Sequence, residues 1–135
     1  MTLTLRVLAP DQSIYDGSAN EVILPSASGQ MGILTGHVSM LTALDSGVLR
    51  VRDGSTWSAI AVMGGFAEVE DNAVTVLVNA AELGSAIDAS TAQTAFEQAQ
   101  QAAAGFEGQA SSPDKVKAQQ ALAQAKARLQ ASKGG

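Results

Sequence analysis

The chain has 135 residues, a formal net charge of −5 and no cysteine, so it can form one domain with an appendage but no disulfide framework, thiolate metal site or thiol nucleophile. The acidic balance argues against nucleic-acid binding, because neutralising phosphates takes a concentrated basic surface. Hydrophobic residues make up 46% and aromatic ones only 4%, which predicts a core of Val, Ile, Leu and Ala.

At the amino terminus Leu3, Leu5 and Val7 alternate with Thr2, Thr4 and Arg6, the pattern of a strand with one apolar face. This start lacks the basic-then-apolar layout of a secretion signal, and the chain is expected to stay where it is made. Pro10-Asp11 ends the first strand. Ile14-Tyr15 and Val22-Ile23-Leu24 read as the next two, with Asp16-Gly17-Ser18 as the turn between them. The stretch from Leu24 to Val51 then gathers Gly29, Gly32, Gly36, Gly47 and the only histidine, His37, and predicts a tightly shaped loop system. Met40 to Leu44, Val48 to Arg52, Trp57 to Met63, Phe66 to Glu70 and Ala73 to Val78 read as further strands. The expected separators are Asp45-Ser46-Gly47, the hairpin turn Asp53-Gly54, the break Gly64-Gly65 and the turn Asp71-Asn72. Strands at this spacing predict a β-sandwich or barrel. Trp57 is expected at a sheet edge or core margin, and Glu68 and Glu70 on a solvated strand face. The longest nearly uncharged apolar run, Ala59 to Ala67, is about half the ~20 residues that span a bilayer, so any membrane association is expected to go through a partner.

Near residue 85 the vocabulary changes. Residues 86–135 contain fifteen alanines and few β-branched residues, a helical composition, and the chain divides into a β part, 1–85, and a helical part, 86–135. Asp88 is placed to cap the first helix. Phe96, Ala99, Ala103 and Phe106 recur along one stripe of it, and Gly105 and Gly108 weaken its end. Ser112-Pro113 starts a second helix, in which Ala118, Leu122, Ala125 and Leu129 form a seam; the pair reads as an antiparallel hairpin. The second helix is locally basic, with Lys115, Lys117, Lys126, Arg128 and Lys133 against Asp114, which reads either as a solvated face or, more sharply, as a docking surface for an acidic helix or loop of another protein.

Catalytic chemistry finds little support. A triad from His37 with Ser39 and Asp45 lacks a nucleophile elbow. A lone imidazole without cysteine cannot build a multi-histidine metal site. His37 reads better as a turn residue bonded to nearby backbone or as a polar interface contact. The spacing of Gly29, Gly32 and Gly36 opens no helix and is followed by no Gly-Lys-Ser/Thr, so neither a phosphate loop nor a dinucleotide fingerprint is present.

The runs EVILP at 21–25, SGQMGILTGH at 28–37, LTAL at 41–44, GVL at 47–49 and GGFA at 64–67, with Val74-Thr75-Val76, Ala81-Glu82 and Ile87-Asp88, resemble the epsilon subunit of F-type ATP synthases, in the style of its cyanobacterial and plastid members. The resemblance covers essentially the whole chain. It implies a ten-stranded β-sandwich followed by a two-helix hairpin, and a non-catalytic subunit of the central rotor stalk without a cofactor. The sandwich would clamp the gamma subunit and rest on the c-ring, coupling rotation to ATP synthesis. The hairpin would restrain ATP hydrolysis by docking on the alpha and beta subunits through Lys115, Lys117, Lys126 and Arg128. The implied location is peripheral, on the cytoplasmic or stromal face of an energy-coupling membrane such as the cyanobacterial thylakoid. Gly29, Gln30, Met31, Gly32, His37 and Val38 match the loop that meets the ring, although many members carry an acid where Gln30 stands. Some members bind ATP through an Ile-Asp-x-x-Arg-Ala pattern. Ile87 and Asp88 match its start, but Thr91 takes the arginine position, which predicts weak or absent ATP binding. The alternative reading is a free-standing sandwich module that dimerises through the seam of its second helix.

Overall fold

The computed structural model describes residues 2–134. Eight strands come first: β1 (Leu3–Ala9), β2 (Gln12–Ala19), β3 (Glu21–Ser26), β4 (Gly29–Ile33), β5 (Met40–Asp53), β6 (Thr56–Glu70), β7 (Ala73–Val78) and β8 (Ala81–Leu83). A 3-10 turn, Gly84–Ala86, leads into α1 (Ala89–Ala104) and α2 (Pro113–Ser132). The strands run in the order β2-β1-β7-β6-β5-β3-β4, with β8 on the free side of β6.

Two long strands fold this single hydrogen-bonded sheet into two layers. Residues 65–70 of β6 pair with β7 and with residues 40–44 of β5, whereas residues 56–63 pair with residues 46–53 of β5 and with β8. Between those halves Gly64 and Gly65 take φ of 69° and 149°, values that a Cβ makes costly. The expected strand ends at Asp45-Ser46-Gly47 and Gly64-Gly65 are therefore bends inside continuous strands. Eight strands rather than ten result, because β5 and β6 each serve both layers. Asp16-Gly17-Ser18 also lies inside a strand. β2 is a sheet edge paired to β1, where polar residues face solvent at no cost, and Asp16 sits 3.9 Å from Arg6 across the pair. The chain turns at Asn20 instead, whose side chain accepts from Gly54 N–H at 2.6 Å.

The inner faces meet as expected from alternation. Leu3, Leu5, Val7, Val74, Val76 and Val69 of one layer pack on Val22, Leu24, Ile33, Leu49, Ile60 and Val62 of the other, all buried. Trp57 is 44% exposed on β6, with the guanidinium of its cross-strand neighbour Arg52 5.9 Å from the ring centroid. Glu68 and Glu70 face solvent.

The helices form an antiparallel pair on the outer face of the second layer. A small second core joins Ala59 and Ala61 of β6 to Ile87, Ala92, Ala127, Leu129 and Ala131. α2 rests on β5 and β6, while α1 packs mainly on α2. Ser112 caps α2, accepting from Lys115 N–H at 3.1 Å, with Pro113 following it.

The bend yields a test. A Cβ on Gly65 would collide with the carbonyl oxygen of Leu77 in addition to its φ, so Gly65→Ala should lower unfolding free energy by roughly 2–4 kcal/mol. Gly54→Ala, at a turn with open space around it, should cost about 1 kcal/mol. Urea midpoints of the two variants check the difference.

Candidate functional site

Three surfaces carry the residues singled out in the sequence. The first is the β3–β4 hairpin. Gln30 lies opposite Pro25, and Met31 opposite Leu24; Gln30 is exposed and Met31 half-buried against the core. Gly29 has φ 124° with open space around it, and the Ser26 hydroxyl accepts from Ser28 N–H at 3.2 Å to close the tip. Gly32 is ordinary strand backbone near the Glu21 carboxylate.

The second is the loop 34–39. Gly36, with φ 84°, donates its N–H to the Asn72 side chain at 2.7 Å, tying the loop to the β6–β7 turn. His37 N–H donates to Leu34 carbonyl at 3.2 Å, and its Nδ1 lies 2.8 Å from the Val38 carbonyl oxygen. The imidazole is thus engaged by local backbone, and the extended residues 40–44 carry Asp45 roughly 15 Å or more away. No Ser39–His37–Asp45 constellation is assembled. The same strand geometry separates two residue groups that are neighbours in sequence. β4 runs from Gly29 to Ile33, roughly 13 Å, so Gln30 and Met31 lie near the bend end of the sandwich. His37 and Val38 lie at the other end, beside Asn72.

From that second loop an apolar stripe continues over the outer face of the first layer. Leu8, Leu77, Phe66 and Ala43 stand directly opposite one another across β1, β7, β6 and β5. Leu41, paired with Glu68, lies next to this row. Val38, Leu41, Phe66 and Leu77 are 73%, 70%, 57% and 55% exposed. A contiguous row of large exposed apolar side chains marks an interaction face. Sequence reasoning missed it, because a strand with apolar residues on both faces reads as buried.

The third is the helical hairpin. Lys115 Nζ donates to the Gln109 carbonyl at 2.6 Å and so closes the interhelical connection. Arg128 forks onto Glu82 of β8, Nε to Oε1 at 2.7 Å and Nη2 to Oε2 at 3.3 Å, and that hydrogen bond holds the guanidinium above its ordinary pKa. Lys117 and Lys126 are exposed. At about 100° per residue, Lys115 and Lys126, 11 positions apart, fall on one stripe; Lys117 and Arg128, also 11 apart, fall on nearly the opposite one. The four bases do not share a face.

Ile87 is buried under the helices. Asp88 occupies the N-cap position and its carbonyl accepts from Ala92 N–H at 2.9 Å, and its carboxylate, with weaker help from the Thr91 and Ser90 amides, takes the Thr91 hydroxyl at 2.5 Å. That hydrogen bond is the main cause holding the carboxyl below the usual range. Among the described residues no group of three His, Asp or Glu side chains can hold a metal ion, and no helix is long and apolar enough to cross a membrane.

Residues 2–84 match the family model "ATP synthase, Delta/Epsilon chain, beta-sandwich domain", and residues 85–133 match its long alpha-helix domain. The chain is 68% identical over 133 residues to the ATP synthase epsilon chain of Synechococcus sp. (strain CC9902), covering 98% of both proteins. It is 61% identical to that of Prochlorococcus marinus (strain MIT 9303), covering 98% of this chain and all of that one. The fold is similar to a chain in the Euglena gracilis mitochondrial ATP synthase structure of OSCP, F1 and c-ring, with TM-score 0.79, 23% identity and coverage of 97% and 81%.

With the Asp88 carboxylate engaged by Thr91 and no guanidinium at position 91, calorimetric titration of the protein with ATP should show no micromolar binding. Thr91→Arg is the variant expected to gain heat of binding; micromolar affinity in the unmodified chain would overturn the expectation.

Proposed function

The chain belongs to the ATP synthase delta/epsilon chain family, and from that premise we propose that it is a non-catalytic subunit of the rotor stalk whose sandwich couples rotation to ATP synthesis and whose hairpin restrains ATP hydrolysis. The observation that carries the coupling role is the apolar row Leu8, Leu77, Phe66 and Ala43 on the outer face of the sandwich. Torque passes through an extended, stiff contact, and a two-layer sheet knitted by shared strands offers one. The gamma subunit is assigned to this row and to the adjoining Leu41. The c-ring is assigned to the β3–β4 tip, where Gln30 and Met31 present an uncharged surface with Gly29 and Gly32; His37 and Val38 extend the contact only where the ring reaches the opposite loop.

The brake is assigned to the hairpin. Its attachment to the sandwich is largely alanine, each contributing a fraction of the ~1.5–3 kcal/mol of a buried leucine, which suits an element that leaves its platform. α2 would then meet acidic surfaces on the alpha and beta subunits through its basic residues. The division into a coupling part, 1–85, and a regulatory part, 86–135, follows the same line, as does a peripheral place on the cytoplasmic or stromal side of a thylakoid-type membrane. A dimerising module is not favoured: Leu129 of the seam is buried and Leu122 lines the groove against α1, so the seam is used within the chain.

Cutting the chain after residue 85 should leave the sandwich folded and assembled while ATP hydrolysis by the complex rises severalfold. Neutralising Lys115, Lys117, Lys126 and Arg128 together should reproduce part of that rise. Hydrolysis rates of the reconstituted complex test both, and an unchanged rate in the truncated form would refute the brake.

A further inference from the structure

α2 meets the sandwich along only part of its length. Near its C-terminal end Ala127, Leu129 and Ala131 are buried, and Gly84 approaches the Ala131 carbonyl so closely that a Cβ would collide with it. Towards the other end Val116, Gln120 and Ala123 face Leu44, Asp45 and Met63 across an open cleft of about 860 Å³. The attachment is therefore at one end. Among the described ion pairs, Arg128 on Glu82 is the one that joins a helix to the sheet.

We propose that Glu82 latches the hairpin onto the sandwich, and that release exchanges the Glu82 carboxylate for a carboxylate of the acidic partner surface on the same Arg128 guanidinium. The proposal rests on the reading of the hairpin as a brake and adds how that brake is held off. The Nε–Nη2 edge of Arg128 can grip one carboxylate in this fork at a time. While Glu82 occupies it, α2 cannot offer its Lys117–Arg128 stripe complete to a partner. Both side chains are partly exposed, 32% and 43%, so water and salt keep the latch weak enough to open, with an effect of about fivefold at most on the docking equilibrium. β8 is the strand from which the chain enters the 3-10 turn and α1, so the latch sits beside the point about which the hairpin would swing.

The test uses the full chain, alone and in the assembled complex. Glu82→Gln keeps the side-chain shape and removes the charge. Backbone amides in the last two turns of α2 should then exchange about two- to fivefold faster, with amides of β1 and β5 unchanged, and the complex should hydrolyse ATP more slowly. Arg128→Gln should loosen α2 by a similar factor while hydrolysis rises. The double exchange Glu82→Arg with Arg128→Glu should restore slow exchange in α2 and leave hydrolysis high. Unchanged α2 exchange in Glu82→Gln overturns the latch. Hydrolysis changes of the same sign in the two single variants overturn the carboxylate exchange. Should truncation after residue 85 leave hydrolysis unaltered, the brake itself has failed, and the amide rates still decide the latch.

Discussion

The two-glycine bend in β6 is the constraint on which the rest of the structure depends. Gly64 and Gly65 turn the strand out of one layer into the other, and the backbone groups exposed by that turn are met at once: Asn79 N–H donates to Gly64 carbonyl at 3.1 Å, Met63 N–H to Ala80 carbonyl at 2.9 Å, and the Asn79 side chain to Met63 carbonyl at 3.2 Å. β5 follows β6 through the same corner, with Leu44 opposite Gly65 and Ser46 opposite Met63. Because both long strands cross from layer to layer, the layers cannot slide past each other without breaking a ladder. Stiffness between the outer face of the first layer and the bend end of the sandwich comes from this covalent sharing, not from core packing alone.

The bend also decides what each outer face must do. Residues 65–70 of β6 present Phe66 outward in the first layer, where an apolar row runs on through Leu77 to Leu8. Residues 57–63 present Ala59, Ala61 and Met63 outward in the second, where the helices cover them. Small residues there let α2 approach the sheet backbone closely, as Gly84 and Ala131 do. Close approach gives shape specificity with little apolar area, so the docked hairpin is well defined yet weakly held. One outer face is left apolar and exposed, and the other is closed by the helices through small side chains.

Most of the architecture was legible in the sequence because its signals are local. Alternation marked β1, Asp53-Gly54 closed the β5–β6 hairpin and Asp71-Asn72 the β6–β7 hairpin, and Ser112-Pro113 opened α2 with both a cap and a fixed φ. What was not legible depends on partners distant in sequence. A Gly-Gly pair ends a strand or bends it, and only the register of β7 and β5 on either side selects the bend. Asp16-Gly17-Ser18 has turn composition, yet pairing with β1 at an edge overrides it. The alanines of α2 carry no polarity contrast, so the face that meets the sheet, Ala127 and Ala131, was indistinguishable from its solvated neighbours. Gln30 and Val38 looked like one loop, and the five residues of β4 put them at opposite ends. Glu82 and Arg128 are 46 positions apart, and no local pattern announces that they meet.

That last pair also changes what the basic composition of α2 means. A count of bases suggests a uniform positive surface, but helical geometry distributes them over two opposed stripes, and each stripe already has an internal commitment. Lys115 closes the interhelical connection on Gln109, and Arg128 fastens the far end on Glu82. Lys115 stiffens the hairpin itself and Arg128 fastens it to the sheet, leaving Lys117 and Lys126 exposed. On the proposed exchange, such a helix cannot present its full charge and remain docked, and charge recognition by a partner and release from the sandwich would be coupled through Arg128. Weak alanine packing keeps the free-energy cost of release small, and in the proposed exchange the commitment of Arg128 to Glu82 makes it conditional.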